Sequence, residues 1–210
     1  SQKVNSITLQ ELSEDKQSFV GEAITINTDL LLMSGGWNPA VQLFSQSRGK
    51  LRYDDQISSF VPDVLVDNQY VIGTNNGDFN LKQNLIDSQN AGISAAKETG
   101  NKKDIDEFIS EANEPNEFTT SDVVPYVLGS KPVTHGSKHF IDFQNDVTAS
   151  DIFLAQREGY ISVEHTKRYT TTGMATDQGK TSNVNALAIM SHIQKKPVGE
   201  VGHTTFRPPY

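Results

Sequence analysis

A basic, hydroxyl-rich segment at residues 162–183 holds the side chains best suited to chemistry. It reads SVEHTKRYTTTGMATDQGKTSN and has almost no apolar residue after Val163. Hydroxyls, backbone amides at glycines and fixed cations together suit a phosphate or another anion. The same composition fits a solvated loop between two helices, and the residues alone leave both interpretations open. The segment contains the cations Lys167, Arg168 and Lys180, the glycines Gly173 and Gly179, and the hydroxyls of Thr170, Thr171, Thr172, Thr176, Thr181 and Ser182.

Two of these cations are neighbours in the sequence. On a helix, the side chains of Lys167 and Arg168 point in different directions. One of them can therefore face a ligand while the other faces a partner subunit or a carboxylate such as Glu164.

Glycine turns in the first half of the chain form a second candidate site. Residues 29–33 (DLLLM) and 69–72 (QYVI) are short apolar runs that predict buried, parallel strands, and each ends in a glycine-containing turn. Such a turn between a strand and a helix lets backbone amides approach a nucleotide. No GxGxxG pattern is present, so the turns also fit an ordinary α/β domain. Trp37, beside Pro39, fits core packing better than a stacking platform.

No residue is predicted to be catalytic or to bind a metal. His135 and His139 have a helical metal-ligand spacing, but Gly136 lies between them and a strand-like run follows. The chain also lacks the GxSxG pattern of a nucleophile elbow.

Composition excludes several function classes. The 210 residues carry a net charge of −8, which argues against non-specific nucleic-acid binding. The absence of cysteine excludes disulfides, thiolate zinc sites and thiolate-bound iron–sulfur clusters, and it fits a reducing compartment. No apolar run is long enough to span a membrane. Because both ends of the sequence look unlike natural termini, we expect an internal fragment; a processed mature protein is the alternative.

The chain divides into regions of different composition. Residues 1–100 are expected to form strands and turns that close on a helix at 81–97, with one strand at 22–27. Residues 101–132 are polar and contain prolines, which predicts a linker with a short helix at 104–112. Residues 133–196 are expected to be mostly helical after a strand at 138–143.

Capping residues set the expected helix boundaries in that last region. Thr148 and Asp151 form a capping-box pattern, so a helix should begin near Ala149, and Gly159 should end it. Ser162 should cap a second helix that extends to residue 169. A third helix should begin after Thr181 or Ser182 and end at Pro197.

Most of the chain resembles a known family. Similarity to the alpha subunit of heterotetrameric sarcosine oxidases and its amine-dehydrogenase relatives is found at 29–54 (DLLLMSGGWNPAVQLFSQSRGKLRYD), 70–96 (YVIGTNNGDFNLKQNLIDSQNAGISAA) and 138–189. TTFRPPY at 204–210 resembles the start of the folate-binding domain of that family. The similarity is most specific at 162–183 and 204–210 and weak across the linker.

The resemblance implies an α/β plus α fold. Residues 1–100 would be the C-terminal part of a region of the glutathione reductase type, which binds two dinucleotides. After the linker at 101–132, residues 133–196 would form a small helical domain at a flavin and subunit interface. Residues 197–210 would begin an aminomethyltransferase-like folate domain.

The resemblance also implies chemistry, cofactors and partners. The family oxidises sarcosine to glycine, passes the one-carbon unit to tetrahydrofolate and delivers electrons to oxygen. The alpha subunit would bind NAD, FMN would lie between the alpha and beta subunits, and FAD and tetrahydrofolate would lie elsewhere in the complex. The partners would be the beta subunit and smaller subunits, in the cytoplasm. A segment such as this one would be inactive alone, because no active site is complete within it.

Site residues follow by position from the same resemblance. The dinucleotide site would be bordered by Gly35, Gly36, Trp37, Gly73, Thr74, Asn75 and Gly77. The FMN interface would contain Lys167, Arg168, Thr170, Thr171, Gly173, Thr176, Gln178 and Lys180.

Two departures from the family modify these expectations. The GxGxxG half of the dinucleotide site is absent, so NAD should bind weakly or not at all. The lack of cysteines favours the oxidase branch over dehydrogenases that carry a [2Fe–2S] cluster. A subunit of a related proline or opine dehydrogenase and a non-enzymatic subunit-docking module remain the alternatives.

Overall fold

A computed structural model of the chain describes residues 3–15, 18–33, 36–101 and 138–210. Helices and strands are mixed, as the sequence predicts. In chain order they are β1 (Ser6–Leu12), β2 (Phe19–Asn27), α1 (Gln42–Gln46), β3 (Lys50–Asp54), β4 (Ser59–Val64), a 3₁₀ helix (Gly73–Asn76), α2 (Leu81–Glu98), β5 (Phe140–Asp142), β6 (Val147–Thr148), α3 (Ala149–Arg157), α4 (Val163–Thr170), α5 (Asn183–Gln194) and α6 (Val198–Val201). The predicted helix at 104–112 and most of the predicted linker lie outside the described residues.

The strands of the described ranges pair only as antiparallel hairpins. The three hairpins are β1–β2, β3–β4 and β5–β6. The strand predicted at 22–27 is confirmed within β2, which pairs with β1 from Ser6 opposite Asn27 to Leu12 opposite Phe19. The short strand predicted at 138–143 is confirmed as β5.

The two buried parallel strands predicted at 29–33 and 69–72 are wrong. Neither run is in a strand, and Leu32 and Met33 are each 84% exposed. An apolar run becomes a buried strand only where a neighbouring strand pairs with it, and no such partner is present within the described part. The parallel sheet of a nucleotide-binding fold is therefore not seen among these residues.

Helix α2 confirms the helix predicted at 81–97. It begins after Asn80, whose side-chain oxygen accepts a 2.7 Å hydrogen bond from the backbone N–H of Gln83. The helix follows the 3₁₀ turn and has no buried residue. It therefore adds little to the core that positions the site.

The main core lies between α3, α5 and the β5–β6 hairpin. Ile152 is fully buried, and Ile189 and Met190 are each 1% exposed. The predicted capping box is present: the backbone N–H of Thr148 donates to Asp151 Oδ2 over 2.8 Å, and α3 begins at Ala149.

The ends of the C-terminal helices agree only in part with prediction. Gly159, with φ of 93°, follows the last residue of α3 and its cap, as predicted. Helix α5 ends before Pro197, because Lys195 adopts a left-handed conformation with φ of 54°. Pro197 instead precedes α6.

The central hairpin β3–β4 packs against the C-terminal region. Phe60 is 3% exposed, and its ring lies 4.9 Å from that of His203 and 5.6 Å from that of Phe206. Edge-on aromatic contacts of this kind stabilise packing beyond the apolar area they bury. The segment that follows α6 is thereby held beside α1 and β4.

Candidate anion-binding cleft

A cleft of about 860 Å³ opens beside helix α4 and the C-terminal segment. We call it the cationic cleft, because Lys167, Arg168 and Arg207 line it and Glu164 is the one carboxylate among its lining residues in the described ranges. The remaining lining residues are Gln46, Gly173, Met174, Gln178, Thr204, Thr205, Pro208 and Tyr210.

Helix α4 positions two of the three cations. Its first turn is capped by Ser162, whose hydroxyl accepts a 3.2 Å hydrogen bond from the backbone N–H of His165, as predicted. The helix ends at Thr170, and the cap residue Thr171 has φ of 63°. Lys167 and Arg168 lie in the last turn, where cations are favoured by the helix dipole.

One of the two adjacent cations makes the carboxylate contact named from the sequence, and both of them line the cleft. Arg168 makes the expected carboxylate contact, since its Nε donates to Glu164 Oε1 over 2.8 Å and its Nη2 donates to the same oxygen. Lys167 also lines the cleft, although the side chains start in different directions. Both charges therefore remain available to one ligand.

Electrostatics show that the cations influence one another. Burial is the main cause that lowers the pKa of Lys167. The charges of Arg207 and Arg168 lower this pKa further, whereas the charge of Glu164 raises it. Burial also lowers the pKa of Lys180, and the charge of Lys167 lowers it further. A cluster whose positive charges destabilise one another gains from a bound anion.

Arg207 is a site residue that the residue-level reasoning missed. The preceding residue, Phe206, receives a 2.9 Å hydrogen bond on its carbonyl from Gln46 Nε2 and donates its N–H to Ser45 Oγ over 3.1 Å. Lys180 Nζ donates to the Arg207 carbonyl over 2.8 Å. The only local signal is a cation placed before two prolines, whose fixed backbone angles favour an extended segment.

The floor of the cleft is held by a buried carboxylate. Asp142 is 3% exposed, and its Oδ2 accepts a 2.7 Å hydrogen bond from the N–H of Gly173. Gly173 has φ of 67°, and a Cβ there would lie 2.3 Å from Asn183 Oδ1. Glycine is thus required at this position both by backbone angle and by space.

Most of the predicted hydroxyl ligands are used inside the protein. Thr170 Oγ1 donates to the Thr166 carbonyl over 2.8 Å, and Thr171 Oγ1 to the Thr170 carbonyl over 2.6 Å. Thr176 Oγ1 donates to a side-chain oxygen of Gln144 over 3.0 Å. Of the FMN-interface residues predicted above, the cleft brings together Lys167, Arg168, Gly173 and Gln178, whereas Thr170, Thr171, Thr176 and Lys180 do not line it.

The predicted dinucleotide residues lie apart from the cleft. Gly73, Thr74 and Asn75 belong to the 3₁₀ helix, which Gly77 ends with φ of 83°. A Cβ at Gly77 would lie 2.8 Å from Val61 Cγ1, so packing against β4 accounts for this glycine. Gly36 has φ of 102°, and Gly35 is outside the described residues. The core packing expected for Trp37 is wrong, because this side chain is 73% exposed.

The described ranges contain no candidate for a membrane-spanning helix or for a metal-binding cluster of side chains. No helix there is both long and apolar enough to cross a membrane. No group of three or more His, Asp or Glu side chains in that part of the chain could hold a metal ion.

Comparison with solved structures shows a related fold. A crystal structure of L-proline dehydrogenase from P. horikoshii superposes with a TM-score of 0.62 at 19% identity, covering 100% of this chain and 40% of that one. At this level of identity, the similarity shows the fold alone.

Sequence comparisons place the chain in a family. Residues 136–210 match the family described as the sarcosine oxidase A3 domain. The chain is 37% identical over 210 residues to sarcosine oxidase subunit alpha of Corynebacterium sp. (strain P-1), covering 99% of this chain and 21% of that protein. It is 36% identical over 190 residues to the same subunit of Rhizobium meliloti (strain 1021), covering 90% of this chain and 19% of that protein. Residues 136–210 thus belong to the family of the sarcosine oxidase A3 domain, and the chain is similar over most of its length to sarcosine oxidase alpha subunits, spanning about a fifth of the length of the curated relatives that it matches.

Proposed function

We propose that this chain is a segment of the alpha subunit of a multi-subunit sarcosine oxidase, in which the cationic cleft binds the phosphate of FMN at the interface with the beta subunit. The observation that carries the proposal is the convergence of Lys167, Arg168 and Arg207 on one polar cleft. Two guanidinium groups and an ammonium group suit a phosphate dianion, because guanidinium forks bind its oxygens in pairs.

The cleft is also large enough for such a cofactor. Its volume of about 860 Å³ lies within the range of about 300–1,000 Å³ typical of ligand sites. Met174, Pro208 and Tyr210 add apolar and aromatic surface near the cations, which suits a ligand with both a ring and a phosphate. A segment that holds a cofactor needs residues that bind the cofactor and neutralise its charge.

Within the complex, this segment would position the cofactor and would not take part in a chemical step. FMN, when bound, supplies the redox centre that receives electrons and passes them to oxygen. Lys167, Arg168 and Arg207 would hold its negative charge, and Asp142 would keep the loop at Gly173 in place. The complete reaction would demethylate sarcosine to glycine, with tetrahydrofolate as the one-carbon acceptor and FAD in the partner subunit.

An NAD site at the glycine turns rests on the family resemblance. The strands expected before Gly35 and Gly73 did not form, so the geometry gives the turns no separate support. The predicted border residues remain Gly35, Gly36, Trp37, Gly73, Thr74, Asn75 and Gly77.

A charge reversal in the assembled protein tests the FMN proposal. The double variant Lys167→Glu, Arg168→Glu should lose bound FMN, measured by flavin absorbance after gel filtration. Lys195 and Lys196 are exposed and outside the cleft, so reversing both changes the net charge equally and serves as the control. Full FMN content in the cleft variant would overturn the proposal.

The same experiment separates the alternative roles. Loss of subunit assembly with FMN retained would favour a docking module.

Turnover assays with sarcosine, proline and opines would identify the amine. Activity with proline or an opine but not with sarcosine would assign the protein to a related dehydrogenase.

A further inference from the structure

One carboxylate stands among the cations of the cleft. Glu164 Oε1 accepts two hydrogen bonds from Arg168, and the charge of Glu164 also raises the pKa of Lys167. Glu164 therefore acts on two of the three cations. With Lys167, Arg168 and Arg207 charged, Glu164 reduces the formal charge of the lining side chains from +3 to +2.

We propose that Glu164 is a specificity-determining residue that makes the cationic cleft favour a phosphate monoester over more highly charged phosphate chains. This inference rests on the proposed function of the cleft as a phosphate site. It concerns the charge of the ligand that the site retains, not the chemistry of the ligand.

Charge complementarity supplies the first part of the argument. A phosphate monoester carries about two negative charges at neutral to mildly basic pH. The lining with Glu164 ionised matches that charge, whereas three unopposed cations would match a pyrophosphate or a nucleoside polyphosphate better. A carboxylate repels each ligand in proportion to the charge of the ligand, so the penalty is larger for longer phosphate chains.

The ion pair between Arg168 and Glu164 can also be exchanged for a contact between Arg168 and a ligand. The side chains of Arg168 and Glu164 are 69% and 49% exposed, so Arg168 can turn from the carboxylate to a ligand without disturbing the core. Exposed pairs four residues apart on a helix are weak, and a phosphate dianion competes with them effectively. Glu164 thus weakens anion binding without blocking it.

The expected magnitude follows from Coulomb's law. For a carboxylate about 6 Å from the ligand, in water with a screening length of about 10 Å, removal of its charge should tighten binding about twofold per ligand charge. Glu164→Gln should therefore bind methyl phosphate about fourfold more tightly. Inorganic pyrophosphate, with an additional charge, should gain about eightfold.

An NMR titration of the 210-residue chain, with its C-terminal carboxylate amidated so that Tyr210 adds no charge to the cleft, measures these effects. Methyl phosphate and pyrophosphate are titrated at pH 8 and an ionic strength of about 0.1 M, where the screening length is about 10 Å. Dissociation constants are read from the amides of Gly173, Thr204 and Thr205, which line the cleft. Glu158 lies outside the lining, so Glu158→Gln makes the same change in net charge and should leave both constants within about twofold of the parent.

The outcomes separate this inference from the proposed function. The inference is supported if Glu164→Gln, but not Glu158→Gln, gains more affinity for pyrophosphate than for methyl phosphate. Equal gains for the two ligands, no gain, or the same gain in Glu158→Gln would overturn it while leaving the phosphate site intact. If the parent chain binds neither ligand at the cleft, or Lys167→Glu, Arg168→Glu binds as well as the parent, both proposals fail.

Discussion

Removal of the Asp142 carboxylate should destabilise the fold and release the floor of the cleft. Asp142 Oδ1 accepts hydrogen bonds from the N–H groups of Gln144 and Asn145, each over 3.0 Å, and Oδ2 accepts the 2.7 Å bond from Gly173. The carboxylate therefore links the β5–β6 turn to the loop that lines the cleft. Asp142→Ala removes all three acceptor contacts.

The loss of stability in Asp142→Ala depends on which of the three N–H donors water can reach. The Gln144 and Asn145 donors belong to residues that are not buried, so water can replace the carboxylate there. Gly173 is buried, and its N–H would be left unpaired at a cost of about 1–3 kcal/mol. With the loss of charge-assisted bonds partly offset by removal of a buried charge, we expect a total of about 2–4 kcal/mol.

Urea unfolding followed by circular dichroism measures this loss. Asp146 in the same turn is exposed and has φ of 55°, a conformation that asparagine also tolerates. Asp146→Asn should therefore stay within about 0.5 kcal/mol of the parent. A similarly small effect of Asp142→Ala, at unchanged denaturant dependence, would refute the assignment of the carboxylate as the support of this loop.

Three further substitutions or measurements test other parts of the structure. Gly173→Ala should cost more stability in urea unfolding than Gly159→Ala, because its Cβ would meet Asn183 Oδ1 at 2.3 Å whereas the Cβ at Gly159 meets no atom within 4 Å; equal losses would contradict this steric account. Ile152→Ala should lose about 2–5 kcal/mol in the same assay, since the side chain is fully buried, and a loss below about 1 kcal/mol would argue against this core. The pH midpoint for acylation of the Lys167 amine, followed by mass spectrometry, should lie below the ordinary value of 10.5, because burial lowers this pKa; a midpoint at or above 10.5 would contradict the half-buried placement. As the folded pKa of Lys167 lies below the unfolded one, its contribution to stability should rise with pH between the two values.

Local signals in the sequence predicted the C-terminal helices well. The Thr148–Asp151 capping box, the Ser162 cap and Gly159 each act through hydrogen bonds or backbone angles within one or two turns. Neighbouring residues suffice to determine such features. The same signals placed Lys167 and Arg168 together on one short helix.

The strand predictions at 29–33 and 69–72 failed for a different reason. Apolar content indicates that a run can be buried, but pairing depends on a second segment elsewhere in the chain. The hairpin β3–β4 was missed for the same reason, although Phe60 and Val61 are buried in it. Its core partners, such as His203 and Phe206, lie far along the sequence.

The candidate site was predicted only in part, because composition does not reveal how polar groups are used. The threonines after α4 looked available, yet the hydroxyls of Thr170, Thr171 and Thr176 already hydrogen-bond within the protein. A buried or folded loop must satisfy its own polar groups before it can offer any to a ligand.

By itself, the sequence determined the similarity to sarcosine oxidase alpha subunits, the helices α3 and α4 with their caps, and a cationic helix end at Lys167 and Arg168. Only the tertiary structure brought Arg207 to that helix end, because its position depends on Phe206 being held between α1 and the ring of Phe60. It also brought these cations and Glu164 together in one cleft. Caps depend on adjacent residues, whereas a cleft depends on packing between segments that are distant in the chain.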